Sequence, residues 1–294
     1  MSQNIAGLTI ISSCGAGRKA ASDNNVMSSF GLLTDCHFAR RKQTGTRYYE
    51  QSINKLSDAI SVFNKLKPDF VIELGDFKDM GANKSETISF LDEIEAEYQK
   101  FNGPVYHVLG NHDVDNISKD DFLKHIDNHG QKTAKPYYSF VNKNIKYIVL
   151  DANCNEDGTD FDSGNYDWTK AFIAKPQLEW LTAELKTHLP VIVFLHELLD
   201  LTQKHHGVCV GNATEVIDIL EYNGNVLAVF QGHHHAGSYY FGNGIHYYTV
   251  KGMIEGAMPE NNGFALVEID KALNISIDGY FNEGDMMLKK SGNL

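Results

Sequence analysis

Six short apolar runs, each followed at once by polar or turn-forming residues, constrain this chain more than any other feature of its sequence. They are Phe30-Gly-Leu-Leu-Thr34, Asp69-Phe-Val-Ile-Glu-Leu74, Val105-Tyr-His-Val-Leu109, Lys146-Tyr-Ile-Val-Leu150, Val191-Ile-Val-Phe-Leu195 and Val226-Leu-Ala-Val-Phe230. Runs this short with little polar alternation fit strands buried on both faces. Helical patterns fill the intervals at 50–66, 84–100, 118–128, 176–187 and 212–221, where Pro176 is tolerated near a helix start. Alternating strands and helices predict βα units. With 294 residues and 42% hydrophobic content, the chain can bury a full core.

The C-terminal part reads differently. Residues 246–251, 263–270 and 273–281 alternate apolar and polar without a crossover helix between them, which predicts antiparallel pairing. The expected fold is a layered α/β/β/α domain with mixed sheets over residues 28–294. Residues 1–27 are expected to lie outside it. Within them, Leu8-Thr-Ile-Ile-Ser-Ser-Cys14-Gly looks like the end of a bacterial lipoprotein signal with Cys14 acylated, although no Lys or Arg precedes the apolar stretch. That leaves a cytoplasmic protein and an envelope lipoprotein as the two expectations. No run approaches the length of a transmembrane helix, and four scattered cysteines suit neither a disulfide framework nor a thiolate zinc site.

The polar clusters that end the runs carry the chemistry. Thr34-Asp35-Cys36-His37 follows the first run, Gly75-Asp76-Phe77-Lys78-Asp79 the second and Gly110-Asn111-His112-Asp113 the third. His196-Glu197 follows the fifth and Gly232-His233-His234-His235 the sixth. In open α/β sheets the C-terminal strand ends converge on one crevice, so residues distant in sequence can share a site. Asp35, His37, Asp76, Asn111, His196, His233 and His235 form an oxygen and nitrogen donor set suited to divalent Mn, Fe or Zn. Seven donors are too many for one tetrahedral ion and suit two, with Asp76 as the expected bridge, giving one oxygen to each. At extended-chain spacing His233 and His235 point one way and His234 the other, so His234 is the expected non-ligand.

These blocks, in this order, resemble the calcineurin-like metallophosphoesterase superfamily over residues 28–281. The resemblance implies a four-layer metallophosphoesterase sandwich with Asp35, His37, Asp76 and His235 around one ion. Asp76, Asn111, His196 and His233 would surround the other. It further implies that His112 faces the scissile phosphate and assists the leaving group, oriented by Asp79. A helix cap or solvated loop acid is the alternative for Asp79, and Asp113 and Glu197 are either acceptors for histidine N–H groups or surface acids.

Within the superfamily, Gly45-Thr-Arg-Tyr-Tyr-Glu-Gln-Ser, Gln177-Leu-Glu-Trp-Leu, Gly207-Val-Cys-Val-Gly-Asn and Gly252-Met-Ile-Glu-Gly-Ala-Met-Pro make the chain most similar to manganese-dependent ADP-ribose and CDP-alcohol diphosphatases. That subfamily often has Gln where this chain has His37, and His196-Glu-Leu-Leu-Asp200 departs from its usual His-x-Pro. The implied activity is hydrolysis of a phosphoanhydride in a small nucleotide derivative with two divalent ions, manganese first. A phosphomonoesterase, a cyclic-nucleotide or other phosphodiesterase, and a non-catalytic binding module remain alternatives. Arg47, Tyr48, Tyr49, Asn153, Met253 and Ile254 are the candidate substrate contacts, each with a structural alternative in loop or core. The stretch 152–175 is long for a plain connection and is expected to be a functional loop, a lid around Asp162, Tyr166 and Trp168 being one reading of it. A net charge of −12 gives no basic excess for gripping a nucleic-acid backbone, so the partner is expected to be small and phosphorylated.

Overall fold

The computed structural model describes residues 25–129 and 135–291; Cys14 and the signal-like stretch lie outside the described residues. In chain order the elements are β1 (Val26–Leu33), α1 (Ser52–Leu66), β2 (Phe70–Glu73), α2 (Lys84–Tyr98), β3 (Val105–His107), α3 (Lys119–His125), β4 (Tyr138–Asn142) and β5 (Ile145–Val149). They continue with α4 (Lys175–Glu184), β6 (Val191–Phe194), α5 (Ala213–Tyr222), β7 (Val226–Gln231), β8 (Ser238–Gly242), β9 (Ile245–Thr249), β10 (Gly263–Asp270), β11 (Ile275–Phe281) and β12 (Met286–Leu288). The first strand starts at Val26, which pairs with Asp270, so Val26 and Met27, counted with the tail in the sequence reading, belong to the sheet.

Two six-stranded sheets result, ordered β12-β11-β10-β1-β2-β3 and β4-β5-β6-β7-β9-β8. β1, β2 and β3 run parallel, as do β5, β6 and β7. Period-two alternation within the apolar runs divides each strand between two cores. Phe30, Leu32, Phe70 and Ile72 face Tyr147, Ile192, Phe194 and Phe230 between the sheets. Leu33 and Val71 face Leu56, Phe63, Phe90 and Ile94 of α1 and α2, while Val191 and Val193 face Leu181 and Val216 of α4 and α5. The layers are therefore α/β/β/α. Phe30 is the keystone of the middle layer, stacked on Phe70 at 5.2 Å and edge-on to Tyr147, Phe194 and Phe230; truncating such a ring costs ~3–5 kcal/mol.

The antiparallel expectation holds for β10 with β11 and on one side only for residues 246–251. There β9 lies parallel to β7 and antiparallel to β8. The physical reason is the hairpin partner β8, whose Ser-Tyr-Tyr-Phe-Gly runs along the sheet edge and reverses direction before β9 inserts beside β7. Among the described residues, no helix is long and apolar enough to cross a membrane.

Candidate metal centre

Parallel packing brings the polar ends of β1, β2, β3, β6 and β7 to one edge of the sandwich, and the backbone turns sharply there. Asp35, His37, Asp76 and His233 all have φ between +46° and +63°. Non-glycine residues adopt that region at a cost of ~1–3 kcal/mol each, and such strain concentrates at functional sites. The glycines beside them are needed for close approach: a Cβ on Gly110 would lie 2.2 Å from the Asp76 amide nitrogen, and one on Gly232 would lie 2.2 Å from Thr34 Oγ1. Asp113 fastens the turn. Its carboxylate accepts the amides of Asp76 and Gly110 at 2.9 Å, and of Phe77 and Lys78 at 3.0 and 3.3 Å. Asp113 is thus an acceptor for backbone amides rather than for a histidine, and burial next to Glu73 and Asp76 pushes its pKa up to about 8.

Two clusters of donor atoms meet at Asp76. In the first, His235 Nε2 lies 3.1 Å from Asp35 Oδ1 and 3.2 Å from His37 Nε2, which in turn lies 3.5 Å from Asp76 Oδ2. In the second, His196 Nε2 lies 3.2 Å from the same Asp76 Oδ2, with His233 completing the group. Asp76 Oδ1 is taken by the His112 amide at 2.7 Å. The expected sharing of one oxygen per ion therefore becomes a single oxygen, Oδ2, facing both clusters.

Asp35 is divided in the same manner: Oδ2 accepts Thr34 Oγ1 at 2.7 Å and the His233 amide at 3.0 Å, which leaves Oδ1 for the cluster. Buried Asp35 Oδ1, Asn111 Oδ1, His196 Nε2 and His233 Nε2 have no hydrogen-bond partner. Buried polar atoms are nearly always satisfied, so this convergence of orphans fits cations bound between them. Burial would raise the pKa of Asp35 and of Asp76, but adjacent His235 and His196 respectively hold them well below the usual carboxylate range. Burial, reinforced by His196, lowers His233 to about 3, so its ring is neutral and its lone pair free for a metal.

Each ring is oriented from behind. His196 Nδ1 meets the Leu74 carbonyl at 2.7 Å, and His235 Nδ1 meets Glu255 Oε1 at 2.6 Å, so the Nε2 atoms turn to the centre. Asp79 Oδ2 lies 3.4 Å from His37 Nδ1 and 3.8 Å from His112 Nδ1, and it accepts a hydrogen bond from Arg41 at 2.8 Å. Asp115 Oδ2, at 3.5 Å, is the carboxylate nearer to His112 Nδ1. The pairing of His112 with Asp79 alone is thus corrected to two carboxylates. Burial lowers the His112 pKa, but Asp76, Asp115 and Asp79 together raise it above its ordinary value.

The clusters open into a cleft of about 470 Å³, lined among others by His37, Asp76, Asn111, His112, His233, His235, Arg47, Trp168, Val208 and Glu255. Of the candidate substrate contacts, Arg47 lies there. Tyr48 does not line it and gives its amide to the Ile254 carbonyl. Tyr49 is a core residue under the Arg41 guanidinium. Met253 and Ile254 are fully buried and pack in the core of the first sheet, because their amides pair with the Thr34 and Asp35 carbonyls and turn the side chains inward. Asn153 is also fully buried, its amide nitrogen donating to the Leu109 carbonyl, so it does not reach the cleft. Glu197 is buried and no surface acid; both its oxygens lack a partner, and burial pushes its pKa up to about 7. Sequence reasoning missed Glu255 and Asp115; the latter's signal was its place three residues after His112. The long loop borders the cleft as expected: Tyr166 donates to the Asn111 carbonyl, and Trp168 forms part of the wall.

Over 286 residues the chain is 26% identical to a manganese-dependent ADP-ribose/CDP-alcohol diphosphatase of Arabidopsis thaliana, covering 82% of this chain and 90% of that protein. A relative of the same name from Homo sapiens is 24% identical over 308 residues, covering 85% and 90%. Among solved structures, a dimetal phosphatase from Danio rerio superposes with a TM-score of 0.77 at 22% identity, covering 91% of this chain and all of that one, which shows the shared fold. Residues 28–237 match the calcineurin-like phosphoesterase family. The chain belongs to that family and is a metal-dependent phosphoester hydrolase.

Proposed function

We propose that this protein hydrolyses the phosphoanhydride bond of small nucleotide derivatives, of the ADP-ribose or CDP-alcohol kind, with two divalent cations, manganese foremost. The observation that carries the reading is the pair of donor clusters sharing Asp76 Oδ2 beneath a cleft that Arg47 helps to line. Asp35, His37, Asp76 and His235 would hold one cation, and Asp76, Asn111, His196 and His233 would hold the other. When bound, such a pair stabilises the attacking and leaving oxygens of an in-line displacement and makes water nucleophilic near neutral pH. The names of the relatives support the nucleotide substrate and the manganese.

The remaining work falls to the chain's own side chains. His112, a third exposed, opens to the cleft and donates its proton to the leaving oxygen. Against the effect of burial, Asp76, Asp115 and Asp79 raise the pKa of that ring above its ordinary value, which favours the protonated form a donor needs. Arg47 offers a bidentate fork to the phosphate that the cations do not hold. From Val26 onward the described residues act as one domain, with the C-terminal strands β10 and β11 completing the sheet that presents Asp35 and Asp76. The test is a panel of ADP-ribose, CDP-choline, cyclic AMP and p-nitrophenyl phosphate with manganese, products identified. The reading expects the first two to be turned over with the highest kcat/KM and split into a nucleoside monophosphate and the phosphomonoester of the ribose or choline. Preference for either of the other two would reject it.

A further inference from the structure

The side chains that the sequence offered as a base platform are unavailable: Tyr49, Met253 and Ile254 are buried in the core and Tyr48 does not line the cleft. Trp168 is left as the aromatic group of the wall that is not a histidine. It is 46% exposed, so its ring face is open to a ligand. Its ring centroid lies 5.6 Å from that of His233.

The turn that carries it is held firmly. Asp167 accepts hydrogen bonds from the Thr169 amide at 3.1 Å and hydroxyl at 2.6 Å, and Phe172 N–H donates to Cys154 O at 2.9 Å. A Cβ on Gly207 would lie 3.5 Å from the Thr169 side chain, so the two segments are neighbours, and the adjoining Val208 adds an apolar patch to the wall. At the other end of the centre, Arg47 Nε lies 3.8 Å from Glu255, the carboxylate that holds His235. The cleft thus has an aromatic end beside His233 and a cationic end beside His235.

We infer that Trp168 is the stacking platform for the nucleobase, so that the base lies at the His233 end and the phosphate farther from the nucleoside extends to Arg47. This deepens the proposed nucleotide reading and rests on it. Stacking uses the face that every base presents, so adenine and cytosine derivatives are both accepted with little discrimination. A π-face also explains why an indole stands in solvent where a packed core residue would be expected.

The experiment compares substrates with and without a base in W168A and W168F. For ADP-ribose and CDP-choline, W168A should raise KM by about 10- to 100-fold, the loss of one stacking contact. Inorganic pyrophosphate, as substrate or competitive inhibitor, should be affected by no more than about twofold, because it has no base to stack. W168F should recover most of the loss. Equal loss for both classes of ligand, or no loss for either, overturns the inference.

A second measurement does not depend on turnover. The chain has two tryptophans, and Trp180 packs against Tyr137 away from the cleft. In W180F protein loaded with metal, AMP should quench the remaining emission saturably while inorganic phosphate does not; absence of AMP quenching refutes the platform. Failure of the wild-type protein to cleave either nucleotide would instead strike the proposed reaction and leave this quenching test standing.

Discussion

Removing the Glu255 carboxylate is expected to loosen one metal site and spare the other. Glu255 Oε1 is 2.6 Å from His235 Nδ1, and the opposite nitrogen of that ring faces Asp35 Oδ1 at 3.1 Å. In the second cluster the corresponding role belongs to the Leu74 carbonyl, 2.7 Å from His196 Nδ1, which no side-chain substitution removes. Loss of such an outer partner weakens a metal by ~10- to 100-fold, or about 1.4–2.8 kcal/mol. E255A should sit at the upper end of that range. E255Q keeps an acceptor oxygen without its charge and should sit at the lower end.

The assay is calorimetric titration of manganese into metal-stripped protein. Wild type should fill two sites, and E255A should show one site near its original affinity and one displaced. Glu255 also meets Arg47 at 3.8 Å, so R47A is the control. An ion pair this exposed is worth ~0–1 kcal/mol and its loss should not split the isotherm. Equal weakening of both sites in E255A, or an unchanged isotherm, would refute the division of the donors into two clusters with separate supports.

Asp76→Asn should abolish turnover and weaken both sites, since Asp76 Oδ2 faces both clusters; metal content and kcat measured together check it, and undiminished turnover would reject the shared oxygen. His112→Ala should lower kcat by ~10²–10⁴-fold, the scale of a lost general acid, with both equivalents of metal retained by elemental analysis. A third prediction concerns pH and stability. His107 is buried 2.9 Å from Glu73 and 3.1 Å from Glu95, and although burial lowers its pKa these carboxylates raise it from 6.5 to about 10. The folded protein then keeps a proton that the unfolded chain releases, so this stabilisation is complete below about pH 6.5 and lost as the pH rises to about 10. His107→Gln should flatten the decline of Tm across that window, and parallel Tm curves for both proteins would reject it.

The sequence made the layers legible because each buried strand is a compact apolar run, and β10 was read with its observed bounds, Gly263–Asp270. It hid β4, β8 and β12. These are edge or near-edge strands with polar or exposed faces, such as Tyr239, Tyr240 and Phe241, each more than 40% exposed, so no burial pattern marks them. The polar clusters that meet at one edge were readable because each stands at the end of an apolar run, with side-chain types that cation chemistry draws on. The substrate wall was not. Apolar residues near a motif face the core or the cleft according to which backbone amides are already paired, and the pairing of Met253 and Ile254 with Thr34 and Asp35 is a long-range fact. Trp168 was read as part of a lid for the same reason: nothing in its own loop says which ring it will stand beside.

In the three consecutive histidines, the geometry given for the expected ligands His233 and His235 differs from the one the backbone adopts. Extended spacing would send His233 and His235 to one side together, and two side-by-side ligands would serve a single ion. The segment is not extended: His233 has φ +63°, followed by a turn in which the Gly237 amide returns to the His234 carbonyl at 2.8 Å. That bend directs His233 to the His196 cluster and His235 to the Asp35 cluster. It also brings His234 to the cleft wall, where it lines the space above the centre. Single alanine substitutions separate the two geometries. With the bent segment, His233→Ala and His235→Ala each lose a different equivalent of metal, and His234→Ala keeps both while changing KM. If His233→Ala and His235→Ala lost the same equivalent, the extended register would be restored and the bent one rejected.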